Sequence, residues 1–196
     1  MAGVIGQTNL EKGKEIQSSI SMIVILISLS MLFATLLLGY LIYRVRSAQW
    51  PPMGMDDIPL KYAVISTVSI FLSSLTFGKF EQVNKESRVV SNINLLKLTV
   101  GLSLLFCGSQ SLLWMDLQNA GISTGTGILG SMLYGFTWIH AAHIVVGIFL
   151  LFRLLLICRR EEKNSFKIKL NIKNTGLFWH FLGVVWLIIF IALFVI

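Results

Sequence analysis

Three histidines, His140, His143 and His180, sit inside strongly apolar stretches of this 196-residue chain. An ionisable side chain in hydrocarbon must stay neutral, find a partner or face protein, so each marks a functional or packing position. His140 and His143 are three residues apart in Trp138-Ile139-His140-Ala141-Ala142-His143 and share one helix face, about one turn from each other. That spacing has two readings. The pair could hold a metal or offer an axial ligand to a haem, or both rings could face a neighbouring helix and hydrogen-bond to backbone or a lipid headgroup. A metal site needs more ligands than the sequence supplies there. At ~1.5 Å per residue, His140 and His143 fall near mid-membrane. His180, in Phe178-Trp179-His180-Phe181, falls nearer an edge, so it is poorly placed to share a haem with either.

The elements that carry these residues follow from composition. The chain is 55% hydrophobic and 13% charged, with a mean hydropathy of +0.79, far from a soluble globular average. Crossing the hydrocarbon takes about 20 apolar residues in a helix. Five stretches qualify, at about Ser18 to Tyr43, Lys61 to Gly78, Leu95 to Met115, Ile128 to Leu151 and Leu177 to Ile196. No stretch alternates with the period of two expected of a membrane barrel. The expected fold is therefore all-α, an integral membrane protein of five transmembrane helices. Residues 1–17 form a cytoplasmic tail and 18–196 the membrane domain. Between the spans lie a Trp50-Pro51-Pro52 loop, a polar turn from Glu81 to Ser91, a Gly/Ser/Thr connector near Ala120 to Gly127, and a basic loop from Cys158 to Asn174. The first span is too long for a secretory h-region and has no small-residue cleavage pattern behind it, so it reads as retained.

Charge sets the expected orientation, because cytoplasmic loops collect Lys and Arg. Only Arg44, Arg46 and Lys61 of the 16 basic residues fall on one side. The N-terminus is thus expected in the cytoplasm and the C-terminus outside. The net charge of +7 reads as a topology signal on short loops that meet anionic headgroups, with no nucleic-acid partner. Cys107 and Cys158 are too few and too far apart for a metal knuckle or redox pair. There is no Gly-rich phosphate loop, no Ser-His-Asp arrangement and no pair of buried carboxylates. Gly135, Ala141, Ala142 and Gly147 flank the histidine pair and would let another helix come close, while the Trp and Phe residues around Trp138 and Trp179 suit helix packing and membrane interfaces.

Several words, taken in order, resemble subunit III of the haem-copper oxidases, the cytochrome c and quinol oxidase family, in a five-helix form. Trp50-Pro51-Pro52 with Ile58-Pro59-Leu60 is similar to the loop after that family's first span. Ser73-Ser74 resembles its paired serines, and Gln110 four before Trp114 its Gln-x-x-Glu-Trp element. His140-Ala141-Ala142-His143 with Gly147 resembles its His-Gly-x-His-Val segment, and Trp179-His180-Phe181 with Val185-Trp186 its Trp-His-Phe-x-Asp-x-Val-Trp segment. Two carboxylates of the pattern are missing. Leu113 stands where Glu is usual and Gly183 where Asp is frequent, and Asp116 lies one turn away and nearer the surface.

The resemblance implies a non-catalytic subunit in the cell inner membrane. It would pack beside haem-copper subunit I and other oxidase subunits, hold phospholipid in a cleft between its first two helices and the other three, and keep the oxygen-reducing centre durable. Haem and copper would belong to the partner subunits and none to this chain. His140, His143, Trp179, His180, Trp50 and Gln110 carry over by this resemblance as lipid-binding or packing residues. Two other readings compete: a small haem-bearing cytochrome b using the histidines, and a subunit III-like accessory protein of a nitric oxide reductase.

Overall fold

The computed structural model describes residues 2–47, 60–86, 92–125, 127–160 and 166–195, all in helices and short turns. The helices are α1 (Ala2–Arg46), α2 (Lys61–Glu86), α3 (Ile93–Asn119), α4 (Ile128–Arg160) and α5 (Phe166–Phe190), the last widening into a π-helical turn at Ile191–Val195. All five contain windows long and apolar enough to cross a membrane. The expected five-helix, all-α fold is therefore what the chain adopts. Trp50, Pro51, Pro52, Ile58 and Pro59 lie outside the described residues.

Two helix ends differ from the sequence expectation. The turn expected to begin at Glu81 is still helix as far as Glu86, and of the loop expected from Cys158 to Asn174, residues 158–160 belong to α4 and 166–174 to α5. Hydropathy falls at these points but helical hydrogen bonding does not. Beyond Gly78, Phe80 and Asn84 remain buried, and Asn84 Nδ2 donates to the Phe80 carbonyl at 2.7 Å. Ahead of the apolar part of α5, Ile168, Ile172 and Thr175 bury one face at helical spacing. The charged residues between them point outward, where a headgroup layer accommodates them.

In hydrocarbon there is little hydrophobic force between helices, so small residues and interhelical polar contacts decide which faces meet. On α2 these contacts form a ladder. Ser66 Oγ lies 2.7 Å from Ser109 Oγ of α3, and Thr76 Oγ1 2.9 Å from Thr99 Oγ1. Ser73 Oγ donates to the Thr99 carbonyl at 3.1 Å. Toward α5, Trp186 Nε1 donates to Thr67 Oγ1 at 3.0 Å and Trp179 Nε1 to Ser73 Oγ at 3.1 Å. The outcome is that α2 packs closely on both α3 and α5. The expected division of the bundle, with the first two helices set apart from the other three, is not what the chain adopts. The rungs on α2 hold it inside the group.

Helix α5 is central and touches α1, α2 and α4. Glycines bring it in. A Cβ on Gly147 of α4 would lie 2.9 Å from the Trp179 ring, and one on Gly176 of α5 would lie 2.8 Å from the Phe77 ring of α2. Helix α1 stands at the periphery: only 6% of its apolar window is buried inside the bundle, against 44% for α5. It is tied by Tyr40, which is buried and donates from its hydroxyl to the Ala192 carbonyl at 2.8 Å, and by Asn174 Nδ2 donating to Ser18 Oγ at 2.6 Å.

Candidate functional site

His140 lies where α4 meets the three other helices that contribute a ring. The Phe33 ring of α1 and the Phe106 ring of α3 both stand 6.1 Å from its centroid, edge-on, and the Trp186 ring of α5 stands at 5.4 Å. Its side chain is fully enclosed, at 0% exposure. Neither ring nitrogen has a hydrogen-bond partner among the described residues. Gln110 on α3, 2% exposed, shares this condition at both amide atoms. An unsatisfied buried polar group costs about 1–3 kcal/mol, so the bundle centre gives up stability at both positions.

His143, one turn on, is half-buried. Its Nδ1 lies 2.7 Å from the Ile139 carbonyl of its own helix, and since a carbonyl only accepts, Nδ1 carries the proton. Phe33 also meets this ring, at 5.6 Å. One phenylalanine of α1 thus bridges both histidines of the His-x-x-His pair. Beside them, Trp114 Nε1 donates to Thr137 Oγ1 at 3.1 Å, joining α3 to α4. Leu113 is completely buried, and a carboxylate in its place would have to be desolvated.

His180 belongs to a different neighbourhood, between α5 and α2. Its Nδ1 lies 2.6 Å from Ser74 Oγ, its Nε2 3.9 Å from Glu81 Oε2, and its ring packs edge-on to Phe77 at 6.0 Å. The paired serines of the motif therefore divide their work: Ser73 receives Trp179 and Ser74 meets His180. Trp179 is fully buried. The structure brings Trp179, His180 and the serines together, keeps His140 with Phe33, Phe106 and Trp186, and does not unite the three histidines. Trp50 lies outside the described residues.

Glu81 went unnoticed in the sequence because it was assigned to a turn. The signal that could have found it is the spacing Ser74, Gly78, Glu81, which places all three on one face of a continued α2. Arg153 is a second omission. It lines a pocket of about 200 Å³ between α1, α4 and α5 with Ser18, Asn171, Asn174 and Thr175. Toward the other end of the bundle, α1 and α4 leave a groove of about 670 Å³ walled by small residues, among them Thr35, Gly39, Ser131 and Gly135.

His140 does not fit a haem. An axial ligand needs open space beside an imidazole nitrogen, and His140 is enclosed on all sides by side chains. Among the described residues no three His, Cys, Asp or Glu side chains come together to hold a metal.

The profile of the family described as cytochrome c oxidase subunit III matches residues 5–196. The chain belongs to that family. It is 26% identical over 176 residues to cytochrome c oxidase subunit 3 of Thermostichus vulcanus, a match covering 90% of this chain and 86% of that one. Against the protein of the same name from Synechocystis the identity is 24%, over 88% of this chain and 72% of the other. With that of Rhizopus stolonifer it rises to 31% over 75% of this chain, which spans about half of that relative's length. The readings as a cytochrome b or as an accessory protein of a nitric oxide reductase gain no support from these matches. For a subunit III-family chain, the contacts above give the family-like words concrete partners: His140 and His143 with Phe33, Trp179 with Ser73 and Gly147, His180 with Ser74.

Proposed function

We propose that this chain is the non-catalytic subunit III of a haem-copper terminal oxidase in a cell inner membrane, packed beside subunit I of that complex. The family match over residues 5–196 carries this reading. The side-chain geometry agrees with it, because His140, His143 and His180 are each engaged in packing or hydrogen bonds within the bundle. Haem and copper reside on partner subunits. Purification of the chain in a gentle detergent, followed by mass spectrometry, is expected to bring a haem-copper subunit I along in stoichiometric amount. A nitric oxide reductase large subunit in its place, or a Soret band on the isolated chain, would overturn the assignment.

Phospholipid is part of this reading, with its location moved from the cleft expected in the sequence to the flank of α1. The Arg153 pocket combines a guanidinium with amides and hydroxyls at the Lys-rich end of the bundle, donors suited to a lipid phosphate. By the positive-inside rule that end faces the cytoplasm and the C-terminus lies outside. A reporter fused after Ile196 is then active outside and one inserted within residues 161–165 active inside; the opposite pattern would reverse the orientation.

A further inference from the structure

Glu81 and His180 meet across α2 and α5 in a setting that both helices are shaped to provide. The carboxylate of Glu81 lies over Gly176 of α5, where a Cβ would come within 2.9 Å of Oε2. The ring of His180 in turn lies over Gly78 of α2, where a Cβ would stand 3.7 Å from Cε1. Each helix thus offers one ionisable side chain and one glycine opposite the ionisable side chain of the other. On its far edge the imidazole is held by Ser74 Oγ at 2.6 Å, while Nε2 faces Glu81 Oε2 at 3.9 Å. That gap is longer than a hydrogen bond and within ion-pair range. A cavity of about 580 Å³ opens beside Glu81 at the Lys-rich end of the bundle. Glu81 lines this cavity and its side chain is 37% exposed, so a proton can reach the pair from that side.

We propose that Glu81 and His180 form a proton-binding pair whose charge state sets how firmly α2 is held to α5. With the ring neutral, Nδ1 can accept from the Ser74 hydroxyl and Nε2–H faces the carboxylate. On taking up a proton the ring donates from both nitrogens, Ser74 turns from donor to acceptor, and the contact with Glu81 becomes an ion pair. The other charges facing this cavity are Glu15 from α1, Lys85 from α2, and Lys169 and Lys173 from α5. Lys173 is engaged by Glu15 at 3.5 Å. Lys85 and Lys169 oppose the imidazolium, but their long stems let the ammonium groups reach water. Glu81, 3.9 Å from Nε2, is the charge that meets the imidazole directly.

The test uses the full chain in detergent, where only three histidines have to be assigned. Nitrogen-15 histidine spectra are recorded against pH for the native chain, Glu81→Gln and Gly176→Ala. The first variant removes the charge; the second keeps both titrating groups and displaces the carboxylate, pressing also on the Phe77 ring. Each is expected to lower the proton affinity of His180 by about fivefold, the attraction between unit charges 4 Å apart when water screens them. A second readout is the loss of thermal stability caused by Glu81→Gln, measured below and above the titration of His180. It is expected to correspond to that fivefold change below and to be close to zero above. His180 titrating in Glu81→Gln as it does in the native chain would overturn the proposal, as would an equal loss of stability at both pH values.

Discussion

Trp179→Ala is expected to loosen the bundle by about 3 kcal/mol, the lower end of the range for removing a large aromatic from a packed core. The lower end applies because hydrocarbon surrounds the helices in both the associated and separated states, so lost contacts and the cavity carry the cost. Trp179 is fully buried, lies against Gly147 of α4 and donates to Ser73 of α2, so its loss loosens three helices together. Trp179→Phe separates the contributions. It keeps most of the ring contact and gives up the hydrogen bond, worth about 0.6 kcal/mol for such contacts in membranes. Thermal denaturation of the detergent-solubilised chain, with retention in the purified complex as a second measure, checks both variants. An alanine variant as stable as the phenylalanine one would contradict the packing described.

Gly147→Ala is the converse experiment, adding one methyl where there is no room. The new Cβ would sit 2.9 Å from both Cε3 and Cζ3 of Trp179 and 3.1 Å from Leu182 Cδ1. The indole cannot simply turn aside, since its nitrogen is fixed on Ser73. The helices must part or the ring must leave its rotamer, at a cost of about 1–3 kcal/mol. A substitution at Gly135, where a Cβ would meet nothing within 4 Å, is the control and should cost far less. Equal stability losses at Gly135 and Gly147, in the same melting assay, would show that glycine acts there through helix propensity alone.

The number and type of elements were legible in the sequence because a span announces itself by length and hydropathy alone. Helix ends were not, since Phe80, Asn84, Ile168 and Ile172 continue their buried faces into segments whose average composition is polar. Gly147 was legible as a point of close approach, but not its partner. A single sequence does not say that α5 comes to Gly147 or that Phe33 of α1 reaches both histidines. The same blindness produced the expected cleft beside α2. Ser66, Thr67, Ser73 and Thr76 were visible as small polar residues, yet which neighbour each would meet depends on the tilt and rotation of three helices at once. Glu81 was lost for a simpler reason: a charged residue just past an apolar stretch reads as the start of a loop until Ser74 and Gly78 are seen on the same face.

The peripheral place of α1 bears on how the protein is made. Two of the hydrogen bonds that tie it to the rest of the bundle join residues 152 and 156 positions apart. At roughly 5–20 residues per second of synthesis, α1 leaves the ribosome about eight to thirty seconds before Asn174 and Ala192 exist to receive it. It can wait in lipid because it asks little of its surroundings. The hydroxyls of Ser21, Ser28, Ser30 and Thr35 each donate to a carbonyl four residues earlier in the same helix, at 2.8–3.0 Å. With these four hydroxyls bonded inside its own helix, α1 can be the first of the five to insert and the last to dock.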